Sequence, residues 1–165
     1  MHLPSYISGF VDGEGCFCVP FCRSKRHRFG WDVRPSFSVS QNRDRSELLY
    51  LIQDLWKCGY IRPDRSDQTL KYEVRSIGDL VAKVLPHFRE YPLQSSKQQD
   101  VELFDEICCL IRQRRHLDVD GLRIIVRLAM DMNPSGKRKY KEDEILNSLQ
   151  SGEGIVCATG NRGST

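Results

Sequence analysis

The chain has 165 residues, of which 28% are charged and 39% are hydrophobic. These fractions are typical of a globular protein, and they exclude a disordered chain or one embedded in a membrane. The length predicts a single domain over residues 1–150, followed by a flexible polar tail over residues 151–165. No apolar run is as long as a membrane span, and the first residues do not resemble a secretory leader, so we expect an intracellular protein without a membrane partner.

Positive charge is concentrated in one part of the chain. Between residues 16 and 76 there are twelve Lys or Arg residues against seven Asp or Glu, and four of these cations lie in the segment "RSKRHR". A local excess of cations suits the phosphate backbone of a nucleic acid, although a solvated basic loop explains it equally well. Charge alone therefore leaves both interpretations open.

Hydrophobic periodicity divides the chain into helices and strands. Residues 3–14 carry apolar residues at helical spacing, and from Cys16 the period changes to two. The pattern predicts, in order, a strand over 16–21, a strand over 32–40, a helix over 46–58, a hairpin of 60–62 with 69–76, a helix over 76–88 that Pro86 ends or bends, and helices near 95–116, 118–132 and 141–149.

This order, α-β-β-α-β-β-α followed by extra helices, predicts an α+β fold with a four-stranded antiparallel sheet. Each strand has an apolar side for the helices and a side rich in Ser, Arg, Lys, Asp and Glu. Such a polar face fits the major groove of DNA, where β-ribbons read base edges. An ordinary solvated face is compatible with the same alternation.

The first helix contains residues that helix stability does not explain. The segment "YISGFVDGEG" places Gly9 and Gly13 inside the helix, and each costs roughly 0.5–1 kcal/mol relative to alanine. It also places Asp12 and Glu14 at the end where the helix dipole is negative, which is unfavourable for carboxylates.

Residues 7–15 of this segment, "ISGFVDGEG", closely resemble the signature of the LAGLIDADG family of homing endonucleases and related intron maturases. The predicted element order is also that of the family, so the resemblance covers about residues 3–105. Glu14 replaces the aspartate that is more common at the metal-binding position of the motif. The resemblance implies a sequence-specific DNA endonuclease that hydrolyses one phosphodiester in each strand of double-stranded DNA.

The resemblance also implies a homodimer, because the chain contains one copy of the motif. Motif helices in this family pack side by side across a twofold axis, and glycines four apart allow two backbones to approach closely. The implied target is long and pseudo-palindromic. The implied dimer interface consists of Ile7, Gly9, Phe10, Asp12 and Gly13.

The family's active-site positions are carried over to this chain one at a time. The twofold axis would bring two copies of Glu14 together, and a divalent cation such as Mg²⁺, with the Gly13 carbonyl as a further ligand, would offset their repulsion. Asp12 is expected to be mainly structural. Gln41 matches a polar residue of the family that orients water. Arg45 matches a basic residue a few positions further on, although it could equally be a solvated arginine at the start of a helix. Lys97 matches the active-site lysine, although "PLQSSKQQD" lacks one of the two lysines usual in that pattern.

Contacts to DNA are expected from the outward side chains of the strands and from the basic loop. Arg34 and Arg75 are predicted to contact guanine, Asp32 and Glu73 to accept from cytosine N4, and the loop cations to hold phosphates. The full set is Arg23, Ser24, Lys25, Arg26, Arg28, Asp32, Arg34, Ser36, Ser38, Arg62, Asp64, Arg65, Lys71, Glu73 and Arg75.

Three alternatives to this interpretation concern a zinc site, an RNA partner and a regulator without catalytic activity. Cys16, Cys18, Cys22 and His27 suggest zinc, but their spacing is not that of a structural zinc site. An RNA-binding intron maturase without cleavage activity, with intron RNA as its partner, and a non-catalytic DNA-binding regulator are the other two. Family members occur in organelles such as chloroplasts and mitochondria and in bacterial or archaeal cytoplasm, and the sequence does not choose among these compartments.

Overall fold

The computed structural model describes residues 2–64, 68–133 and 136–151, and of residue 151 only the backbone. The helices are α1 (Leu3–Glu14), α2 (Glu47–Trp56), α3 (Ile77–Asp79), α4 (Leu85–Glu90), α5 (Lys97–Arg112), α6 (Val119–Asp131) and α7 (Glu142–Ser151). The strands are β1 (Gly15–Cys18), β2 (Phe21–Arg23), β3 (Trp31–Val33), β4 (Ser36–Asn42), β5 (Tyr60–Pro63) and β6 (Thr69–Val74). The α+β fold is confirmed.

The four-stranded antiparallel sheet has the strand order β1-β4-β6-β5. Each of the first two predicted strands is broken in two, however, and β2 pairs with β3 as a separate ribbon. The breaks lie at Pro20 and Pro35, since proline has no N–H to donate to a sheet ladder. The carbonyl of Pro20 accepts from the N–H of Arg34 at 3.1 Å, which keeps the two breaks beside each other.

α1 leads into β1 without a loop, and Gly15 makes this possible. A Cβ atom at Gly15 would lie 2.5 Å from Cγ1 of Val11 and 2.7 Å from the Val11 carbonyl oxygen. No side chain fits at these distances, so the tight exit of α1 requires glycine. The end of α1 is thereby fixed directly at the edge of the four-stranded sheet.

The apolar side of the sheet packs against the helices through aromatic side chains. Phe37 on β4 is fully buried, and its ring centroid lies 5.0 Å from that of Phe17, 5.4 Å from that of Trp56 and 5.9 Å from that of Phe88. Fully burying one such side chain contributes about 1.5–3 kcal/mol. The core cluster extends from Ile7 to Leu149, and thus includes residues of α7.

The helix with Pro86 does not end there. The chain widens into a π-helical turn, Leu80–Val84, and then continues as α4 to Glu90. Pro86, which has no N–H to donate, directly follows this π-helical turn as the second residue of α4.

The predicted C-terminal helices are present as α5, α6 and α7, whereas residues 152–165 of the predicted tail lie outside the described residues. The single-domain assignment stays a prediction. Within the described ranges, the chain has no helix that is both long enough and apolar enough to span a bilayer.

Candidate active site and nucleic-acid interface

Glu14 is the last residue of α1, and its side chain is exposed beside the end of the sheet. The neighbouring strand β4 runs antiparallel to β1, with Val39 opposite Gly15. Gln41 therefore lies two residues beyond the start of β1, at the end of the sheet where α1 arrives. Its side-chain oxygen accepts from the backbone N–H of Asn42 at 2.9 Å.

Lys97 reaches the same end of α1 from the first turn of α5. Its ammonium donates to the carbonyl oxygens of Asp12 at 2.7 Å and Val11 at 3.1 Å, with a longer contact of 3.5 Å to Gly13. The last carbonyls of a helix have no intrahelical partners, and a cation there also offsets the negative end of the dipole. α1 has no basic residue in its own last turn, so Lys97 supplies this charge.

Asp12 faces the segment that precedes α5. Its carboxylate accepts from the backbone N–H groups of Gln94 at 2.9 Å and Ser95 at 3.0 Å, and from the Ser95 hydroxyl. The hydrogen bond from the Ser95 side chain is the main reason that the pKa of Asp12 is lowered from its ordinary value. Asp12 and Glu14 thus have different surroundings although they are two residues apart.

Arg45 lies in a 3₁₀ turn, Arg43–Arg45, between β4 and α2. Its guanidinium is exposed and its Nε lies 4.0 Å from the carboxylate of Asp44. The structure thus gathers Glu14, Gln41 and Lys97 around the end of α1 and leaves Arg45 on the neighbouring surface.

One helical face of α1 is left uncovered by the residues that the structure describes. Tyr6 is 46% exposed, Gly9 and Gly13 are exposed, and a Cβ atom at either glycine would meet no heavy atom within 4 Å. Phe10 lies at the edge of this face and is partly buried. Ile7 is completely buried in the chain's own core, so its predicted contact with a second copy is wrong: it has no surface left to offer.

The outward side of the sheet forms rows of polar side chains. The register places Ser38 of β4 opposite both Cys16 of β1 and Glu73 of β6, with Tyr60 of β5 next to Glu73. The next row contains Ser40, Lys71 and Arg62, and Ser36 pairs with Cys18. Cys16, Cys18, Ser40 and Tyr60 were not predicted as contacts, although the period-two alternation places them on this face.

Glu73 is the centre of a hydrogen-bond network on this face. It is only 4% exposed, and it accepts from the Tyr60 hydroxyl at 2.7 Å, from Arg75 at 3.0 Å and from Arg62 at 3.4 Å. Burial alone would raise the pKa of Glu73, but the hydrogen bonds from Tyr60 and Arg75 outweigh it and the pKa is lowered. Glu73 therefore holds two arginines instead of presenting its carboxylate freely.

We expect Glu73→Gln to lower the free energy of unfolding at pH 7 by about 1–3 kcal/mol, because charged hydrogen bonds in a buried network are lost. Since the pKa of Glu73 is below its ordinary 4.5 in the folded chain, its contribution is complete above that pH and disappears as the pH falls through the lowered value. Urea unfolding at pH 7 and pH 3 measures the loss of unfolding free energy and its dependence on pH. The exposed acid Glu47 serves as the control, and an equal loss at both pH values for Glu73→Gln would contradict the charge-based explanation.

The β2–β3 ribbon carries the basic loop. Lys25, Arg26 and Arg28 are exposed in it, as predicted for phosphate contacts. Arg23 is held differently: its guanidinium lies 3.9 Å from the Trp31 ring centroid and 3.6 Å from the carboxylate of Glu144 on α7. Arg23 thus links the ribbon to α7.

The other residues predicted to contact DNA lie in the β2–β3 ribbon and at the β5–β6 hairpin. Asp32 accepts from Nε of Arg34 at 2.6 Å, and its carboxylate lies 3.5 Å from His27. The backbone N–H of Asp64 donates to Thr69 at 3.0 Å and closes the β5–β6 hairpin. Ser24 is half-buried in the basic loop, and Arg65 lies outside the described residues.

A second basic segment was missed by sequence reasoning. Lys137, Lys139 and Lys141 are exposed between α6 and α7, while Arg138 donates to the carbonyls of Ala129 and Met132 and so caps the end of α6. The run "GKRKYK" was the available signal. As for zinc, no group of three or more His, Cys, Asp or Glu residues suited to a metal ion occurs in the part of the chain that the structure describes.

Comparison with known proteins places these features in a family. The family model "LAGLIDADG endonuclease" matches residues 7–108. A probable intron-encoded endonuclease from Neurospora crassa is 32% identical over 140 residues, which cover 84% of this chain and 31% of the relative. The chain thus spans less than a third of the length of this curated relative.

Two solved structures have the same fold. The archaeal intron-encoded homing endonuclease I-Vdi141I, in complex with DNA, is 26% identical with a TM-score of 0.84, and the match covers 91% of this chain and 96% of that one. I-SmaMI, bound to an uncleaved DNA target in the presence of calcium ions, is also 26% identical with a TM-score of 0.76, over 90% of this chain and 57% of that one. Because the family model matches well over half of the chain and includes the glycine-bearing helix, the sheet and Lys97, this chain belongs to the LAGLIDADG endonuclease family.

Proposed function

We propose that the chain is a site-specific DNA endonuclease that cleaves both strands of a long pseudo-palindromic target as a homodimer. The observation that carries the proposal is the position of the Lys97 ammonium, which donates to the carbonyls of Val11 and Asp12 at the end of the helix that finishes with Glu14, directly beside a sheet with an open polar face. Solved relatives bound to DNA support the nucleic-acid partner.

The sheet and the basic loop have separate tasks in binding. The outward rows of Ser, Lys, Arg and Tyr side chains suit the major groove, which admits a β-ribbon and presents a distinct pattern for each base pair. The exposed loop cations Lys25, Arg26 and Arg28 suit phosphates, which fix the register on the duplex. Glu73 keeps Arg62 and Arg75 in place for guanine contacts.

The open face of α1 is the proposed surface for a second copy. Gly9 and Gly13 leave space that no described residue fills, so the backbone of an identical helix can approach closely. A twofold contact of this kind brings the two Glu14 carboxylates together, where each would repel the other unless a cation lay between them.

The donors at this end of α1 fit a hard divalent cation. Glu14 offers an exposed carboxylate and Gly13 a carbonyl, and oxygen ligands are those that Mg²⁺ prefers. A bound Mg²⁺ supplies charge stabilisation and a more acidic water for phosphodiester hydrolysis. Lys97, whose ammonium donates to the neighbouring carbonyl of Asp12, stabilises the charge that develops on the phosphate, and Gln41 orients the attacking water.

The test is cleavage of a randomised library of palindromic duplexes by the wild-type protein with Mg²⁺ and with EDTA. We expect double-strand cuts at one sequence family with Mg²⁺ only, and an affinity for that site that falls by about 10³-fold or more between 50 and 200 mM salt, because several phosphate contacts release counterions. No cleavage of any duplex, together with tight binding to a structured intron RNA, would instead identify a maturase. In the cell the protein acts where its target DNA lies, in an organelle or a bacterial or archaeal cytoplasm.

A further inference from the structure

Hydrogen bonds run in both directions between the end of α1 and the segment that begins α5. The carboxylate of Asp12 accepts from the backbone N–H groups of Gln94 and Ser95 and from the Ser95 hydroxyl. In return, the ammonium of Lys97 donates to the carbonyls of Asp12 and Val11. We call the contacts among Asp12, Ser95 and Lys97 the α1–α5 latch.

Ser95 connects the two halves of this latch. Its hydroxyl oxygen donates to Asp12 and accepts the backbone N–H of Lys97 at 3.1 Å. A continuous chain of hydrogen bonds therefore runs from the Asp12 carboxylate to the backbone of Lys97. Asp12 thus binds the two residues that shortly precede α5, and Lys97 is the first residue of that helix.

Position matters for this side chain because lysine has a long, flexible stem and three donors that rotate freely. In the structure the Lys97 ammonium nevertheless contacts the carbonyls of Val11, Asp12 and Gly13 in the last turn of α1. The side chain alone does not determine this location. The backbone on which it stands is held by Asp12.

We propose that Asp12 is a positioning residue for Lys97: it fixes the start of α5 so that the ammonium stays beside the Glu14 end of α1. This rests on the proposed function, in which Lys97 stabilises charge on the phosphate. Asp12 itself contacts neither phosphate nor metal in this role. A displacement of a catalytic group by about 1 Å costs on the order of 10²-fold in rate.

The test compares Asp12→Ala with the wild type in three measurements. The ¹H–¹⁵N spectrum of the lysine ammonium groups, with the Lys97 signal assigned by its loss in Lys97→Met, reports whether the ammonium is held. Binding of a selected duplex without Mg²⁺ gives the affinity, and single-turnover cleavage with Mg²⁺ gives the rate. Asp12→Asn keeps an acceptor for the two N–H groups, and Ser95→Ala removes only the hydroxyl. Gln94→Ala is the matched control, since it keeps the backbone N–H that binds Asp12.

We expect Asp12→Ala to lose the Lys97 signal and to cleave on the order of 10²-fold more slowly, with a DNA affinity close to that of the wild type. Ser95→Ala should weaken the Lys97 signal and lower the cleavage rate, but less than Asp12→Ala does. Asp12→Asn and Gln94→Ala should stay near the wild type in both measurements. An unchanged Lys97 signal in both Asp12→Ala and Ser95→Ala would overturn the proposal, and so would a loss of affinity that equals the loss of rate. A wild type that cuts no duplex would contradict the proposed function, and the spectrum would still decide the latch.

Discussion

Glu14→Gln is expected to reduce the single-turnover cleavage rate by about 10³-fold while the protein still folds, dimerises and binds its target. The substitution keeps the shape of the side chain and removes the charge that would hold Mg²⁺. A metal ion contributes several kcal/mol to such a hydrolysis, and each 1.36 kcal/mol is a factor of ten in rate. Stability should change by less than about 0.5 kcal/mol, because Glu14 is exposed.

The measurement is single-turnover cleavage of the selected duplex with Mg²⁺, alongside affinity without metal. Affinity should rise slightly, since one negative charge near the phosphates is removed. Glu106→Gln, which neutralises an exposed acid on α5, is the control and should cleave like the wild type. A Glu14→Gln protein that cleaves within tenfold of the wild type would exclude Glu14 as the metal-binding carboxylate.

Gly9→Leu is expected to separate the dimer and to slow cleavage in parallel. A Cβ atom at Gly9 meets no heavy atom within 4 Å among the residues that the structure describes, so the monomer should fold normally and gain about 0.5–1 kcal/mol from better helix propensity. At a twofold interface the same side chain appears twice. Overpacking costs about 1–3 kcal/mol each time, so the dimer dissociation constant should rise by on the order of 10²-fold or more.

Sedimentation with and without DNA measures this change, and thermal unfolding checks that the monomer is intact. Gly78→Leu is the matched control, because Gly78 is an exposed helical glycine outside α1. The shared-site mechanism fails if Gly9→Leu dimerises as well as the wild type, or if the wild type itself sediments as a monomer with and without DNA.

Several features of the molecule were predictable because they depend on local periodicity. Val33, Pro35, Phe37 and Val39 alternate with polar residues, and a strand places alternate side chains on opposite faces wherever it lies. The helical spacing of α1 and the positions of α5, α6 and α7 followed from the same kind of pattern. The residues on the outward face of the sheet, including most of those predicted to contact DNA, could therefore be identified from the sequence alone.

Other features depend on residues that meet only in the folded chain. The burial of Ile7 contradicted its predicted place at the dimer surface. Helical periodicity shows which residues share a face, but it does not show whether that face packs against the chain's own core or against a second copy. Glu73 resembled a freely exposed acid, yet Tyr60, Arg62 and Arg75 surround it because the β5–β6 register brings them together. The prolines at 20 and 35 indicated where the strands would be interrupted. The pairing of β2 with β3 as a separate ribbon is seen only in the folded chain.

The sequence by itself thus determined the family motif, the order of the elements and the faces of the strands, because these follow from residue type and from spacings of two or 3.6 residues. Tertiary structure decided which groups share a hydrogen bond. Helix α1 shows both: glycines at 9 and 13 were readable as an open helix face, whereas the links from Asp12 to Ser95 and from Lys97 to the end of α1 join residues more than eighty positions apart. Contacts at that separation have no local period, so only the packing of α5 against α1 and β1 reveals them.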